Sequence, residues 1–306
     1  MFHQPVLLDE VIENLGRPDT KAIIDGTLGL GGHAEAFLHH CPQLEKYLGS
    51  DLDEEHLHFS RNRLKKFSAK IQLENVNFSE LLQSVNHQKI PRPLSILLDL
   101  GLCSNQIDTA EKGFSFLVDG PLKMSFSGVV DRNAEWLVNT FSMHDLAKIF
   151  REYGEEKNAI KIAKNIEKYR EKEMIKTTEK LREIIEEVTI APNRKKTNTR
   201  VFQAIRIAVN DELSHLQKAL ESFVQLMQSG DRFGVISYHS LEARLVKQFF
   251  REKTTPITKA TNFSLHTVVA EAEFFTPTKK PITPTETEIA NNNRSRSAEF
   301  RIIIKK

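Results

Sequence analysis

A glycine-rich segment directly after a short apolar run is the feature that most constrains the fold of this 306-residue chain. Residues 21–26 predict a buried strand, and Gly29, Gly31 and Gly32 follow it in a turn that leads into a helical pattern at 32–41. Glycines at this point let the backbone approach a ligand closely, and the start of the next helix offers free N–H groups. The spacing of Gly29, Gly31 and Ala34 also fits the pattern G-x-G-x-x-G/A, which several nucleotide-binding chemistries share.

Strand and helix patterns alternate through the first hundred residues. Further strands are predicted at 45–50, 71–77 and 94–99, with a charged helix at 54–67 between the first two. Alternation at this spacing is typical of a parallel sheet covered by helices. The first part of the chain therefore predicts a Rossmann-like α/β sheet.

The pattern changes near residue 110. Residues 134–189 are helical in pattern, and strands return only at 230–237 and 298–305, with a Thr- and Pro-rich surface loop expected at 254–288. We therefore predict an α/β domain formed by 1–109 and 207–306, interrupted by an all-helical domain at 110–206.

One long helix is expected near 199–227. Apolar residues recur there at spacings of three and four, which predicts a single stripe buried in the core rather than a partner-binding face. The stripe consists of Phe202, Ile205, Val209, Leu213, Leu216, Leu220, Phe223 and Met227.

The composition excludes several classes of protein. The chain is 40% hydrophobic and 27% charged with a net charge of +2, so any nucleic-acid contact must come from local basic patches. Cys41 and Cys103 lack the spacing of a zinc site or a disulfide scaffold, so no metal is expected. No apolar run reaches the roughly 20 residues that a membrane span needs, and we expect a cytoplasmic protein.

Carboxylates at the predicted strand ends indicate the type of cofactor. Asp51 follows the second strand, where a carboxylate can accept the hydroxyl protons of a ribose. Asp25 precedes the glycines and Asp99 ends the fourth strand. These acids would repel a pyrophosphate but attract the sulfonium and amino group of S-adenosylmethionine. The pattern therefore favours S-adenosylmethionine over NAD.

Short motifs along nearly the whole chain resemble the bacterial 16S rRNA cytosine-N4 methyltransferase family. The blocks occur in family order: His3–Glu10, Asp25–His33, Asp99–Gly101 with Ser104 and Gln106, Gly113–Phe116, Gly154–Glu156, Arg200–Leu213, His239–Glu242 and Arg294–Ala298.

The resemblance implies a class I methyltransferase domain with a helical insertion, and S-adenosylmethionine as cofactor. It also implies the substrate, one cytidine in the decoding region of 16S rRNA in the small ribosomal subunit. By position, the cofactor contacts are Gly31, Gly32, His33, Asp51, Phe78, Asp99 and Gln106, with Phe78 beside the adenine. Asp99 is also the candidate catalytic acceptor, because it occupies the place after the fourth strand where many amino-methylating enzymes carry their motif.

The chain departs from the family pattern near the expected active cleft. Lys123, Ser125 and Ser127 stand where the family has an acid, an arginine and a second acid. Two alternatives therefore stay open: a divergent homologue with altered substrate or little turnover, and a methyltransferase that acts on a protein or a small molecule. Basic clusters at 191–206 and 294–306 are the candidate RNA contacts. The sequence leaves a homodimer open.

Overall fold

The structure, a computed structural model, describes residues 4–85, 89–127, 132–260 and 266–306. His3 of the opening motif and the side chains of Ser104 and Asn105 lie outside the described residues. The chain divides into two compact units, Met1–Gly101 with Leu213–Lys306, and Leu102–Glu212. The change of sequence pattern had predicted these divisions after residues 109 and 206. None of the helices in the described ranges combines the length and the apolar character that a membrane span requires.

The first unit is built around a seven-stranded sheet. The strands in chain order are β1 (Ala22–Asp25), β2 (Lys46–Ser50), β3 (Ile71–Glu74), β4 (Leu94–Asp99), β5 (Arg232–Ser237), β6 (Ile257–Ala260), β7 (His266–Ala270), β8 (Phe274–Phe275) and β9 (Glu299–Lys305). The order of the seven strands in this sheet is β3-β2-β1-β4-β5-β9-β8, and β6 and β7 form a separate two-stranded sheet. Neighbours from β3 to β5 are parallel, and β9 is antiparallel to β5 and β8. The predicted Rossmann-like α/β sheet is confirmed.

The helices are numbered in chain order through both units. They are α1 (Leu8–Leu15), α2 (Gly32–His40), α3 (Glu54–Arg63), α4 (Leu81–Ser84), α5 (Ser104–Asp108), α6 (Ala134–Thr140), α7 (Met143–Glu152), α8 (Ala159–Arg170), α9 (Thr178–Glu187), α10 (Arg194–Asn210), α11 (Glu212–Leu226), α12 (Ser240–Thr254) and α13 (Glu286–Asn291). Several begin at a side chain that accepts a backbone N–H of the first turn, as Asp53 does for α3 and Ser142 for α7.

Both faces of the sheet are covered by apolar side chains. Ile23 and Leu97 belong to one core cluster, whereas Ile24 and Leu98 belong to another. Consecutive side chains of a strand point to opposite faces, so each strand contributes to both clusters. This explains why β1 and β4 are apolar up to their terminal aspartates except at Ser95.

The second unit is helical and has its own core. Phe150 of α7, Ile162 of α8, Ile184 of α9 and Ile205 of α10 are fully buried in one cluster. The structure describes only a single isolated strand bridge in this unit, between Pro121 and Thr177.

The prediction of one long helix at 199–227 is wrong. Two helices, α10 and α11, meet at Asp211, whose left-handed backbone (φ 47°) interrupts the helical hydrogen bonding. The apolar stripe continues in register through the break, so periodicity alone did not reveal it. Phe202 and Ile205 enter the core of the helical unit, whereas Leu216 and Phe223 enter the core of the sheet unit.

The surface loop expected at 254–288 also contains regular structure. Residues 257–260 and 266–270 pair as antiparallel strands, and α13 ends the segment. Thr, Ile and Val favour extended backbone, and pairing overrode the loop character that the prolines indicate. Phe274 of β8 is buried in the core of the first unit.

Candidate active site

The glycine turn joins β1 to α2 at the carboxyl edge of the sheet. Gly29 and Gly31 have φ values of 52° and 75°, a left-handed conformation that side chains strain. The Gly29 N–H donates to Asp51 Oδ2 at 2.8 Å, and the Ser60 hydroxyl donates to the Gly29 carbonyl at 2.8 Å. A Cβ at Gly31 would lie 3.1 Å from Ser60 Oγ. The turn is therefore held in one shape by residues from after β2 and from α3.

The N-terminal segment packs against the same turn. A Cβ at Gly32 would lie only 2.4 Å from Pro5 Cγ, so this glycine allows the segment to approach. The Val6 carbonyl lies 3.1 Å from His33 Nε2, and the Leu7 N–H donates to Glu288 Oε1 at 2.8 Å. The opening motif thus supports the cofactor turn, a role that the sequence analysis had not assigned to it.

Asp51 lies immediately after β2, beside the turn. Its Oδ2 accepts the Gly29 N–H and its Oδ1 accepts the Asp53 N–H, each at 2.8 Å. The side chain is 15% exposed, so the carboxylate is fixed but reachable by a ligand. This geometry suits an acceptor for ribose hydroxyls.

Asp99 ends β4, on the other side of β1 from Asp51. Burial raises the pKa of Asp99 to about 7, although the Tyr238 hydroxyl, which donates to Oδ1 at 2.6 Å, acts to lower it. The charge of Glu242 raises it further. The other oxygen, Oδ2, faces His33 Nδ1 at 3.7 Å. Asp99 can therefore gain or lose a proton near neutral pH.

His33 presents a lone pair to Asp99. A carbonyl only accepts hydrogen bonds, so the contact with Val6 puts the ring proton on His33 Nε2. Burial lowers the pKa of His33, which favours the neutral ring with an unprotonated Nδ1. Two acceptors, His33 Nδ1 and Asp99 Oδ2, then stand 3.7 Å apart. An N–H donor between them would satisfy both, as the amino group of S-adenosylmethionine could.

The sequence predicted that Asp25 would face the cofactor, but its side chain lies behind the glycine turn. Its side chain is buried, and its oxygens accept the Tyr47 hydroxyl at 2.6 Å and the Thr27 N–H at 3.0 Å. Burial raises the pKa of Asp25. The carboxyl group therefore braces the turn from behind and is not exposed to meet a sulfonium directly, because a desolvated acid must find its partners within the fold.

Phe78 and Gln106 complete the predicted cofactor set. Phe78 is half-buried after β3, and its Cβ would lie 2.7 Å from a Cβ at Gly26 of the turn. Gln106 belongs to the helical unit, where it is buried and its Oε1 accepts the Cys103 N–H at 3.1 Å. The structure thus brings the other predicted contacts to the turn of the first unit, and the role of Gln106 stays a prediction.

The positions that depart from the family pattern lie in the helical unit. Lys123 is exposed, and Ser125 Oγ lies 3.3 Å from Ser127 Oγ. Asn210 holds the segment between them, since its Oδ1 accepts the Phe126 N–H and its Nδ2 donates to the Met124 carbonyl. The departures therefore alter polar side chains, exposed at Lys123 and Ser127 and half-buried at Ser125, on a segment that Asn210 holds.

Sequence reasoning missed Tyr238 and Tyr47, the two hydroxyls that bond Asp99 and Asp25. A signal for Tyr238 was present, because it directly follows the predicted strand at 230–237 and precedes the His239–Glu242 motif. No signal indicated Tyr47, which lies within a strand.

Comparisons with known proteins identify the family of the chain. The model of the MraW methylase family matches residues 1–306. Proteins named ribosomal RNA small subunit methyltransferase H are similar along their length. That of Carboxydothermus hydrogenoformans is 40% identical over 98% of this chain and 96% of its own, and that of Halothermothrix orenii is 38% identical over 98% and 97%. That of Caldicellulosiruptor saccharolyticus is 39% identical over 98% of both.

Proposed function

Because the chain belongs to the MraW methylase family over its whole length, we propose that it methylates the N4 atom of a cytidine in 16S rRNA. It is a methyltransferase that uses S-adenosylmethionine, and its curated relatives are named for the RNA of the small ribosomal subunit. The substrate is the cytidine in the decoding region, and the enzyme meets the small subunit in the cytoplasm. The helical unit contributes to recognition of that substrate.

The placement of Asp51 and Asp99 on either side of the glycine turn carries this proposal. β1 lies between β2 and β4, so the turn after β1 has one carboxylate on each flank. Ligands of open parallel sheets bind outside these strand ends. The side chains also fit the cofactor: Asp51 accepts ribose hydroxyls, Phe78 packs on the adenine, and Asp99 with His33 accepts the amino group. Gly31 and Gly32 let Ser60 and Pro5 pack closely against the turn at the start of α2.

Asp99 is also proposed as the acceptor for the reacting amine. The lone pair of the cytosine amine is delocalised into the ring, so an acceptor for its proton makes the nitrogen a better nucleophile. Tyr238 donates to Asp99 Oδ1 at 2.6 Å, so Oδ2, which has two lone pairs, accepts both the amino group of S-adenosylmethionine and the cytosine amine. When bound, S-adenosylmethionine supplies an electrophilic methyl group. The remaining contribution of the protein is alignment of the nitrogen with that carbon.

The structure narrows the candidate RNA contacts. In the 191–206 cluster, Arg200 pairs with Glu156 and Arg206 with Glu212, so their charges are partly neutralised within the unit. Arg194, Lys195 and Lys196 are exposed in the first turn of α10. In the 294–306 cluster, Arg301 and Lys305 also pair with acids, Glu299 and Glu273. We therefore propose that residues 194–196 are the main contacts with the RNA phosphates.

Transfer of labelled methyl groups tests the function. Small ribosomal subunits from cells that lack this protein are incubated with labelled S-adenosylmethionine and either the wild-type protein or Asp99→Asn. We expect label in 16S rRNA with the wild type only, at one cytidine that mass spectrometry identifies as N4-methylated. Label in protein alone, or cofactor binding with no transfer, would reject the proposal in favour of one of the alternatives.

A further inference from the structure

His56, a buried histidine on α3, lies between two carboxylates beside the cofactor turn. Its side chain is 1% exposed. Nδ1 lies 3.6 Å from Asp51 Oδ1, and Nε2 lies 3.6 Å from Asp53 Oδ2. The two aspartate side chains are themselves only 15% and 8% exposed. Both ring nitrogens of one residue therefore face acids that water reaches poorly.

The two carboxylates are held in place by backbone groups. Asp51 accepts the Gly29 and Asp53 N–H groups, and Asp53 Oδ1 accepts the Glu55 N–H at 3.2 Å as the cap of α3. Neither acid can turn away from the other without the loss of these bonds. Glu54 and Glu55 in the first turn of α3 add negative charge nearby. Like charges confined together disfavour each other's ionised form.

The histidine ring can interact with an acid through either of its two nitrogens. A neutral imidazole donates from one nitrogen and presents a lone pair at the other, whereas an imidazolium donates from both. With an acid at each nitrogen, the ring lies between the two carboxylates and keeps them apart. The same ring limits where Asp51 Oδ1 can move.

We propose that His56 is a positioning residue for cofactor binding, which keeps the Asp51 carboxylate oriented toward the ribose hydroxyls of S-adenosylmethionine. The inference rests on the proposed role of Asp51. Ribose hydroxyls carry no charge change during methyl transfer, so His56 supports ground-state and transition-state binding equally. Its loss raises KM for S-adenosylmethionine and leaves kcat nearly unchanged.

Calorimetry with two ligands tests this role. S-adenosylhomocysteine and its analogue without the ribose 2′-hydroxyl are titrated into the wild type, His56→Gln, His56→Leu and the control His58→Gln, whose histidine is exposed on the same helix. In the wild type, we expect removal of the hydroxyl to weaken binding about tenfold. In His56→Leu, S-adenosylhomocysteine binds about 10- to 100-fold more weakly and the hydroxyl contributes less than about threefold. His56→Gln, which can donate to one acid only, falls between.

A second variant separates positioning from folding. If His56 acts through Asp51, then Asp51→Asn with His56→Gln binds S-adenosylhomocysteine no more weakly than Asp51→Asn alone. Thermal unfolding of each variant shows that the fold persists. The inference is wrong if His56→Leu binds S-adenosylhomocysteine as tightly as the wild type. It is also wrong if binding weakens but removal of the 2′-hydroxyl still reduces affinity as much as in the wild type. Neither result affects the proposed function. A wild type that binds neither ligand overturns the assignment of the cofactor site, and this inference with it.

Discussion

The sheet edge of the first unit and the surface of the helical unit use charge in opposite ways. At the edge, Asp25 and Asp99 are desolvated, each is held by a tyrosine hydroxyl at 2.6 Å, and both have raised pKa values. On the helical unit, Asp119 and Glu187 are exposed, and hydrogen bonds lower their pKa values. Burial therefore decides whether a carboxyl group can exchange protons near neutral pH or remains a permanent surface charge.

This difference predicts how each region responds to substitution. Loss of one atom from a buried group with fixed partners should change activity or stability strongly. Exposed cations should instead affect RNA binding through their summed charge. Substitutions at four sites test this, and we take them in order of expected effect.

Asp99→Asn should abolish most of the activity, because the amide cannot accept a proton and binds an ammonium poorly. We expect methyl transfer to fall about 10²- to 10⁴-fold, measured with labelled S-adenosylmethionine. A loss of less than about threefold would show that the sheet edge does not act through a buried acid.

The same variant should be more stable than the wild type in alkaline solution. The folded-state pKa of Asp99, about 7, lies above its unfolded value, so the wild type loses stability as pH rises toward and through 7. At pH 8 the free energy of unfolding of Asp99→Asn should exceed that of the wild type by roughly 2–4 kcal/mol. Near pH 3, where the carboxyl is protonated in both states, urea titration should show no such gain.

Gly32→Ala should separate the N-terminal segment from the cofactor turn. The new Cβ would lie 2.4 Å from Pro5 Cγ, so the segment must move. We expect this to lower the free energy of unfolding by about 1–3 kcal/mol. We expect affinity for S-adenosylhomocysteine to fall about 10- to 100-fold by calorimetry. Gly230→Ala is the control: its φ of 87° is strained, but a Cβ there meets no atom within 4 Å and should leave binding unchanged.

Tyr238→Phe should shift the pH dependence of the reaction. The Tyr238 hydroxyl lowers the pKa of Asp99, so its removal raises that pKa and moves the acid limb of kcat/KM toward higher pH by about one unit. Activity at pH 7 should fall about 5- to 10-fold and recover near pH 9. Tyr47→Phe removes the matching bond to Asp25 and should leave the limb in place. Equal shifts in both variants would contradict the distinction between the two acids.

Lys195→Glu with Lys196→Glu should weaken RNA binding but stabilise the protein. Both lysines are exposed in the first turn of α10, where the helix dipole disfavours positive charge and the turn contains no acid. We expect about 3- to 10-fold weaker binding of 16S rRNA at low salt, with a smaller difference at high salt. Stability should rise by about 0.3–1 kcal/mol per residue. Lys218→Glu on α11 combined with Lys247→Glu on α12, both exposed, is the charge-matched control, and an equal loss of affinity there would exclude a local contact.

Much of the first unit was predictable from the sequence, and the errors share a cause. The apolar runs of β1 and β4 predicted buried parallel strands, and the ends of β2 and β4 placed Asp51 and Asp99 at one edge. The break at Asp211 was missed because the apolar period continues through it while the two halves enter different cores. The strands within 254–288 were missed because pairing between segments overrode local loop preferences.

The order of residues along the chain by itself determined the fold class, the cofactor turn and the family. Periodicity, glycine spacing and strand-end carboxylates are local properties that survive without knowledge of the tertiary structure. Only the tertiary structure decided the state of each ionisable group: that Asp25 is buried behind the turn, that His33 offers a lone pair, and that His56 lies between two acids. The physical reason is that solvation and hydrogen-bond partners set a pKa, and both come from residues distant in the sequence.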